Sequence, residues 1–505
     1  MTDAVIAFDA LLRGPAGAAS ALSAEPGGLR MSKGRVAALE PSVTSQGGGI
    51  LMPALCNTHD HGRGMRTAAF GAQDDMLEVW IARLGLEPRV DPYLRAAAAF
   101  GRMARSGVAV LNHCHNTQDP QALVAEAADV ARAAADVGVR VAFAAPIFGH
   151  NPVTYGDPAP LLDALPERIR AQAAARGSAL PSMAAQLDAA ETVFAHASTH
   201  FLPQYGPVGP QWVDNATLAE IADRSARYGR RVHMHLLETQ AQRQWADATY
   251  PSGLIAHLDT LGLLSPRLTV AHGTWLRRDE CELLAERGVM VSVNTSSNLR
   301  LRSGIAPVAD FVATGLRFGM GLDGMAFDDD EDALREVRML WHLQRGFGTT
   351  DVLSAERLWQ AVLDDGRAAI LGHDGGGRVE PGAPADLLLL ATDRIMADVL
   401  ADRVSATELL LTRATQADVA GLWVAGRQVV AQGRCLSIDL PAIEAELITQ
   451  ARAVAGPLDS AAQDLLAEAT RGYYRAGCHC DVARLCQQIV LARGPEASSG
   501  LSASR

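Results

Sequence analysis

A chain of 505 residues, 48% hydrophobic and 20% charged, has the balance of a soluble globular protein, with enough apolar residues for one large domain plus a smaller one. Its formal net charge of -12 argues against a nucleic-acid or anionic-membrane partner, because both require a basic face. Seven cysteines, an odd and scattered set, disfavour a disulfide framework.

In chain order, Met1 to Asp9 places acids where an export signal needs a basic segment followed by an apolar one, so a cytoplasmic location is expected. Apolar runs such as Leu387 to Ala391 fall far below the roughly 20 residues that span a bilayer, so no membrane partner is expected. Residues 1–50 read as short strands and turns with Gly, Pro and Ser punctuation. From residue 51 onward, short apolar strands alternate with helical stretches rich in Ala, Leu and Arg.

Eight strands can be nominated: Gly49–Asn57, Val108–Asn112, Arg140–Pro146, Phe201–Gly206, Arg231–Leu236, Leu268–Ala271, Val289–Val293 and Arg317–Gly321. Strand–helix alternation over this length predicts an α/β fold, a (β/α)8 TIM-type barrel over residues 51–370. Strand-and-turn texture returns at Leu387–Leu390 and Gly421–Val430. The flanks, residues 1–50 and 371–440, are therefore expected to form one small β-sandwich from both chain ends. Residues 441–505 read as a helical C-terminal extension, helical to about Leu491 and disordered after Gly494. Within it, Cys478-His479-Cys480 and Cys486 lack a second Cys/His pair and read as ordinary thiols.

The chemistry-bearing residues fall at strand ends. His59 and His61 share one face of the first strand by alternation, so both imidazoles can meet one metal. The fifth strand ends His233-Met234-His235 with Glu238 three residues on. The sixth ends at His272, and the eighth runs into Asp323-Gly324. Each alone reads as easily as a structural residue: Asp323 as a helix cap, His272 as a satisfied core histidine. Together they occupy the carboxyl ends of strands one, five, six and eight, where a barrel makes side chains converge.

The His59-x-His61 pair, His235-x-x-Glu238, His272 and Asp323-Gly324 resemble the signature of the amidohydrolase superfamily, in the branch of cytosine, guanine and S-adenosylhomocysteine deaminases and chlorohydrolases. The resemblance spans about residues 1 to 435 and includes the segment Gly377 to Leu387, similar to that branch's re-entry into its sandwich. It implies that His59, His61, His235 and Asp323 are metal ligands, with Glu238, His272 and Asp323 serving catalysis. A divalent ion so held lowers the pKa of a water, while Glu238 moves a proton and His272 orients the nucleophile. Many relatives hold two metals bridged by a carboxylated lysine on the fourth strand. Of the 45 basic residues here only Lys33 is lysine, and it precedes the barrel, so one ion is expected, zinc ahead of iron.

Substrate contacts are expected from His113 and His115 after the second strand, Gln204 and Trp212 around the fourth, and Asn298 after the seventh. Gln73 is a further candidate, on a segment that resembles the family's helical lid. Asn294-Thr295 replaces the family's usual Asn-Pro. The acidic run Asp328 to Asp332 reads as a solvated face or helix start.

The expected activity is deamination of an amino-substituted N-heterocycle of the pterin, purine, pyrimidine or triazine type, with that small molecule and water as partners. Hydrolysis of a cyclic amide, or displacement of a substituted amine or halide, uses the same metal site and stays open. So does a non-catalytic binding protein on the same fold. The helical tail could supply an interface for a homo-oligomer.

Overall fold

The computed structural model describes residues 4–14, 25–40, 48–149, 154–171, 180–324, 330–400, 406–456 and 459–476. At its centre are eight parallel, largely buried strands: Leu55–Asp60, Val108–Cys114, Arg140–Ile147, Phe201–Pro207, Val232–Leu236, Leu268–His272, Met290–Val293 and Arg317–Met320. Their order in the sheet is their order in the chain, as repeated βαβ units demand. The seam between the eighth and first strands is closed by Asp323 N–H donating to His59 O at 2.8 Å and Leu322 N–H to Asn57 Oδ1 at 2.9 Å. Here a Cβ on Gly319 would stand 2.4 Å from Thr58 Cγ2, so only glycine permits this approach. The result is a (β/α)8 barrel with its strand ends gathered at one mouth.

The helices follow from local sequence. Pro92–Arg105 begins where the Asp91 carboxylate accepts from the N–H groups of Tyr93 and Leu94, with Pro92 in the first turn. Its small inner residues, Ala96 to Ala99, bring Phe100 and Met103 onto the strands.

The first nominated strand, Gly49–Asn57, is two strands in different sheets. Ile50–Pro53 pairs antiparallel with Leu387–Leu390, and after Ala54 the chain enters the barrel as Leu55–Asp60. Both pieces are buried, so their hydrophobic patterns run together without a mark at the break. Ile50–Pro53 belongs to a six-stranded sheet that also holds Ala10–Leu11, Val419–Val424, Arg427–Ala431 and Arg434–Cys435. A three-stranded sheet of Ala4–Phe8, Gly27–Ser32 and Arg35–Glu40 faces it. Phe8, Leu29, Met31 and Val36 from one sheet pack on Leu11, Leu51 and Leu387 from the other.

Two helices, Leu440–Val454 and Ser460–Ala476, follow. Leu447 and Ala451 of the first pack against Met65 and Ala98. The second reaches the barrel mouth, where Arg471 pairs with Asp75 and the rings of Tyr474 and Tyr155 lie 5.3 Å apart. Cys478, His479, Cys480, Cys486 and the segment after Gly494 lie outside the described residues, as does the first part of the acidic run. Asp332, at the end of that run, caps helix Ala333–Gln344 by accepting from Arg335 N–H. No helix of the described residues is long and apolar enough to cross a membrane.

Candidate active site

Four side chains from the first, fifth and eighth strands converge at the mouth. His59 Nε2 and His61 Nε2 lie 3.1 and 3.2 Å from the same oxygen of Asp323, and His235 Nε2 lies 3.4 Å from His61 Nε2. Asp323 and the neighbouring His272 carry φ of 63° and 72°, a left-handed conformation uncommon outside glycine, though Asn, Asp and His adopt it more readily than other residues. Both residues precede glycines; His272 ends its strand, and Asp323 lies three residues beyond the eighth.

Hydrogen bonds behind the rings set which nitrogen faces inward. His61 Nδ1 donates to Cys114 O at 3.1 Å and His235 Nδ1 to Val208 O at 2.8 Å, so both Nε2 atoms present lone pairs. His59 Nδ1 is held by His233 Nε2 at 2.8 Å, and His59 Nε2 is buried without a hydrogen-bond partner. Acceptors therefore face acceptors around the Asp323 carboxylate. That arrangement fits a cation: His59, His61 and Asp323 lie close enough together to share one, as do His59, His235 and His272.

The electrostatics agree. Burial lowers His59 to about 4 and His235 well below its ordinary range, so both imidazoles are neutral. Burial alone would raise Asp323, but His59, His61 and His272 hold it well below the usual carboxylate range. Ser297 Oγ also donates to Asp323 Oδ2 at 2.6 Å. A third group of candidate donors, His59, Cys114 and His233, backs onto these. Burial raises the Cys114 thiol well above its ordinary value, which keeps it protonated and a poor ligand.

Glu238 and His272 stand beside this group. His272 Nε2 is 3.5 Å from Glu238 Oε2, and His272 Nδ1 faces Asn298 Oδ1 at 2.8 Å. Ser303 Oγ donates to Glu238 Oε1 at 3.1 Å. Burial raises the Glu238 carboxyl to about 7, with His272 opposing that rise. A carboxyl so placed is ready to exchange protons near neutral pH.

A cavity of about 200 Å³ opens onto these groups, lined by His61, His235, Glu238, His272 and Asp323 on one side. Leu77, Trp80, Ile81 and Leu84, from helix Leu77–Arg83 and the turn after it, form an apolar wall. Of the six residues expected to contact substrate, His115 and Trp212 line the cavity. Both nitrogens of His115 are engaged, by His113 at 3.1 Å and Glu126 at 2.7 Å, so its ring presents carbon edges. Trp212 Nε1 donates to Thr154 O at 2.9 Å, which leaves its ring as a wall.

His113, Gln204 and Asn298 are buried and are not among the lining residues; Gln204 bonds Asn112, and Asn298 serves His272. Gln73 is exposed and also outside the lining. Gln211 lines the cavity instead of Gln204, with a buried Nε2 that lacks a partner. His233, Ser297, Ser303 and Arg63 escaped the sequence reading as site residues. Only His233 had a clear signal, since it alternates with His235 as His59 does with His61. At Asn294-Thr295 the chain enters helix Thr295–Arg300, so Thr295 takes the first helical position that proline also suits.

The model of the Amidohydrolase family matches residues 50–434. A 5'-deoxyadenosine deaminase from Methanothermobacter thermautotrophicus is 29% identical over 366 residues, covering 69% of this chain and 74% of the relative. A 5-methylthioadenosine/S-adenosylhomocysteine deaminase from Nitratidesulfovibrio vulgaris is 28% identical over 84% of this chain and 92% of its own. An 8-oxoguanine deaminase from Pseudomonas aeruginosa is 33% identical over 50% of this chain and 54% of its own. Among solved structures, an adenosine deaminase from Xanthomonas campestris with bound zinc has a TM-score of 0.73 at 22% identity, covering 89% of this chain and 98% of that one.

Proposed function

We propose, from the premise that this chain belongs to the amidohydrolase family, that it is a metal-dependent aminohydrolase releasing ammonia from an amino-substituted N-heterocycle of the pterin, purine, pyrimidine or triazine type. The observation that carries the reading is Glu238, raised to about 7 and placed 3.5 Å from His272 on the wall of the cavity beside the metal-competent cluster. Relatives named for deamination of adenosine derivatives and 8-oxoguanine support it.

In this reading His59, His61, His235 and Asp323 hold one divalent ion, and zinc suits three neutral imidazoles and a carboxylate. Such an ion supplies its chemistry by acidifying a water so that it serves as nucleophile near neutral pH. Glu238 takes the proton of the attacking water on its cavity-facing oxygen and delivers it to the leaving nitrogen. Ser303 keeps the carboxyl from rotating between the two transfers. His272 is held at Nδ1 by Asn298 Oδ1 at 2.8 Å and Asn294 Nδ2 at 3.2 Å, which turns its Nε2 toward the cavity, where it orients the attacking water. The apolar wall of Leu77, Trp80, Ile81 and Leu84 covers a planar ring and excludes bulk water.

The same reading places the enzyme in the cytoplasm with small-molecule partners, and divides the chain near residues 50, 370 and 440. An ammonia-release screen of zinc-loaded protein against pterins, aminopurines, aminopyrimidines and aminotriazines tests it. Turnover of at least one with stoichiometric ammonia is expected; turnover of the panel only with loss of other groups contradicts it.

A further inference from the structure

The cavity holds a guanidinium that deamination does not use. Arg63, two residues beyond His61, is 2% exposed and lines the cavity. Its Nη1 donates to Asn116 Oδ1 at 3.0 Å, and the guanidinium lies 5.3 Å from the centre of the Trp80 ring. Its Nε is buried and without a hydrogen-bond partner. Among the described residues no partner satisfies that Nε, so the donors of the guanidinium are not used up within the chain.

Nearby carboxylates are engaged elsewhere. Glu87 pairs with Arg95 at 2.9 Å, adding a second guanidinium to the region. Asp60 accepts from the Asn57 amide and from the N–H groups of Gly62 and Gly324. Asp323 faces the histidines. Among the described residues Arg63 makes no ion pair. A guanidinium keeps its charge at every physiological pH, and a buried charge without a counterion is costly. The fork of a guanidinium matches the two oxygens of a carboxylate.

We propose that Arg63 is a specificity residue that receives a carboxylate of the substrate, and that the natural substrate is an amino-substituted N-heterocycle bearing one. This deepens the deaminase reading and rests on it. The carboxylate supplies the missing counterion, while Leu77, Trp80 and Trp212 cover the ring.

The test uses two matched pairs: pterin with pterin-6-carboxylate, and 5'-deoxyadenosine with adenosine-5'-carboxylate. Calorimetric Kd and ammonia-release kcat/KM are measured on zinc-loaded wild type, Arg63→Met and Arg63→Lys, with zinc content and melting temperature as controls. In at least one pair the wild type should favour the carboxylate member by about tenfold or more, the scale of a hydrogen-bonded charge. Arg63→Met should abolish that preference by weakening the carboxylate member more than the neutral one. Arg63→Lys, which keeps the charge without the fork, should retain part of it, and it decides the matter if the Met variant does not fold. No carboxylate preference in either pair, or no binding of either carboxylate, overturns the proposal. So does a Met variant that weakens both members of a pair alike. Arg63-dependent binding without ammonia leaves this assignment standing and removes the deaminase reading; ammonia release without carboxylate preference does the reverse.

Discussion

His272 Nε2 lies 3.5 Å from Glu238 Oε2, and each side chain is held from behind by a neutral partner, Asn298 at 2.8 Å and Ser303 at 3.1 Å. In the proposed reaction Asn298 would act through His272. Asn298→Ala should lower kcat by about tenfold or more while KM and zinc content change little, because the imidazole loses its orientation and not the substrate its pocket. Asn298→Asp, which keeps an acceptor oxygen, should recover most of the loss. An unchanged kcat in the Ala variant contradicts the positioning role.

The raised Glu238 carboxyl makes a stability prediction for metal-free protein. Burial lifts it from an ordinary 4.5 to about 7, so the folded state binds its proton more tightly than the unfolded chain does. Its stabilising contribution is therefore full below pH 4.5 and is lost as pH rises through 7, at about 1.4 kcal/mol per pK unit before structural relaxation. Glu238→Gln does not titrate. Thermal melts of the metal-stripped proteins should show the Gln variant gaining on the wild type between pH 5 and pH 8. A constant difference contradicts the shift.

Metal content follows from the convergence on Asp323. Elemental analysis should find about one tightly held zinc per chain, and His235→Ala should lose most of it, since three donors with one vacancy hold an ion weakly. Retention of full metal by the Ala variant removes His235 from the ligand set. Two tightly held equivalents in the wild type remove the single-ion account.

The barrel seam gives a test of the fold itself. Gly319→Ala sets a methyl group 2.4 Å from Thr58 Cγ2 and 2.9 Å from Gly366 Cα, in a backbone that cannot retreat without opening the seam. The variant should be destabilised by about 1–3 kcal/mol, the usual cost of overpacking, measured by urea unfolding. A wild-type midpoint contradicts the closure described here.

The barrel and its metal-competent cluster were legible because each strand carries its own apolar run and each key residue stands at a strand end. His59, His61, His235, His272 and Asp323 could be gathered by counting strands. What was not legible depends on contacts between distant segments. The break between Pro53 and Leu55 is hidden because both sides are buried in different sheets. The choice of Gln211 over Gln204 as cavity lining depends on how one loop turns. His115 faces the cavity, but Glu126 and His113 take its nitrogens, which spacing within its own strand cannot reveal. Arg63 reads in sequence as one arginine among many; only the engagement of Glu87 and Asp60 elsewhere makes it conspicuous.

The central claim is that Glu238 carries the proton beside the metal without holding the metal. Glu238→Gln keeps the shape and hydrogen-bonding reach of the side chain but cannot accept a proton, so it separates the two roles. The measurement is kcat for ammonia release alongside zinc content in wild type and variant, with whichever heterocycle the screen identifies. The account predicts full zinc, near-normal substrate affinity and a kcat lower by roughly 10² or more, the scale of a lost general acid–base group. Near-normal turnover with full zinc, or loss of the zinc itself, would contradict it.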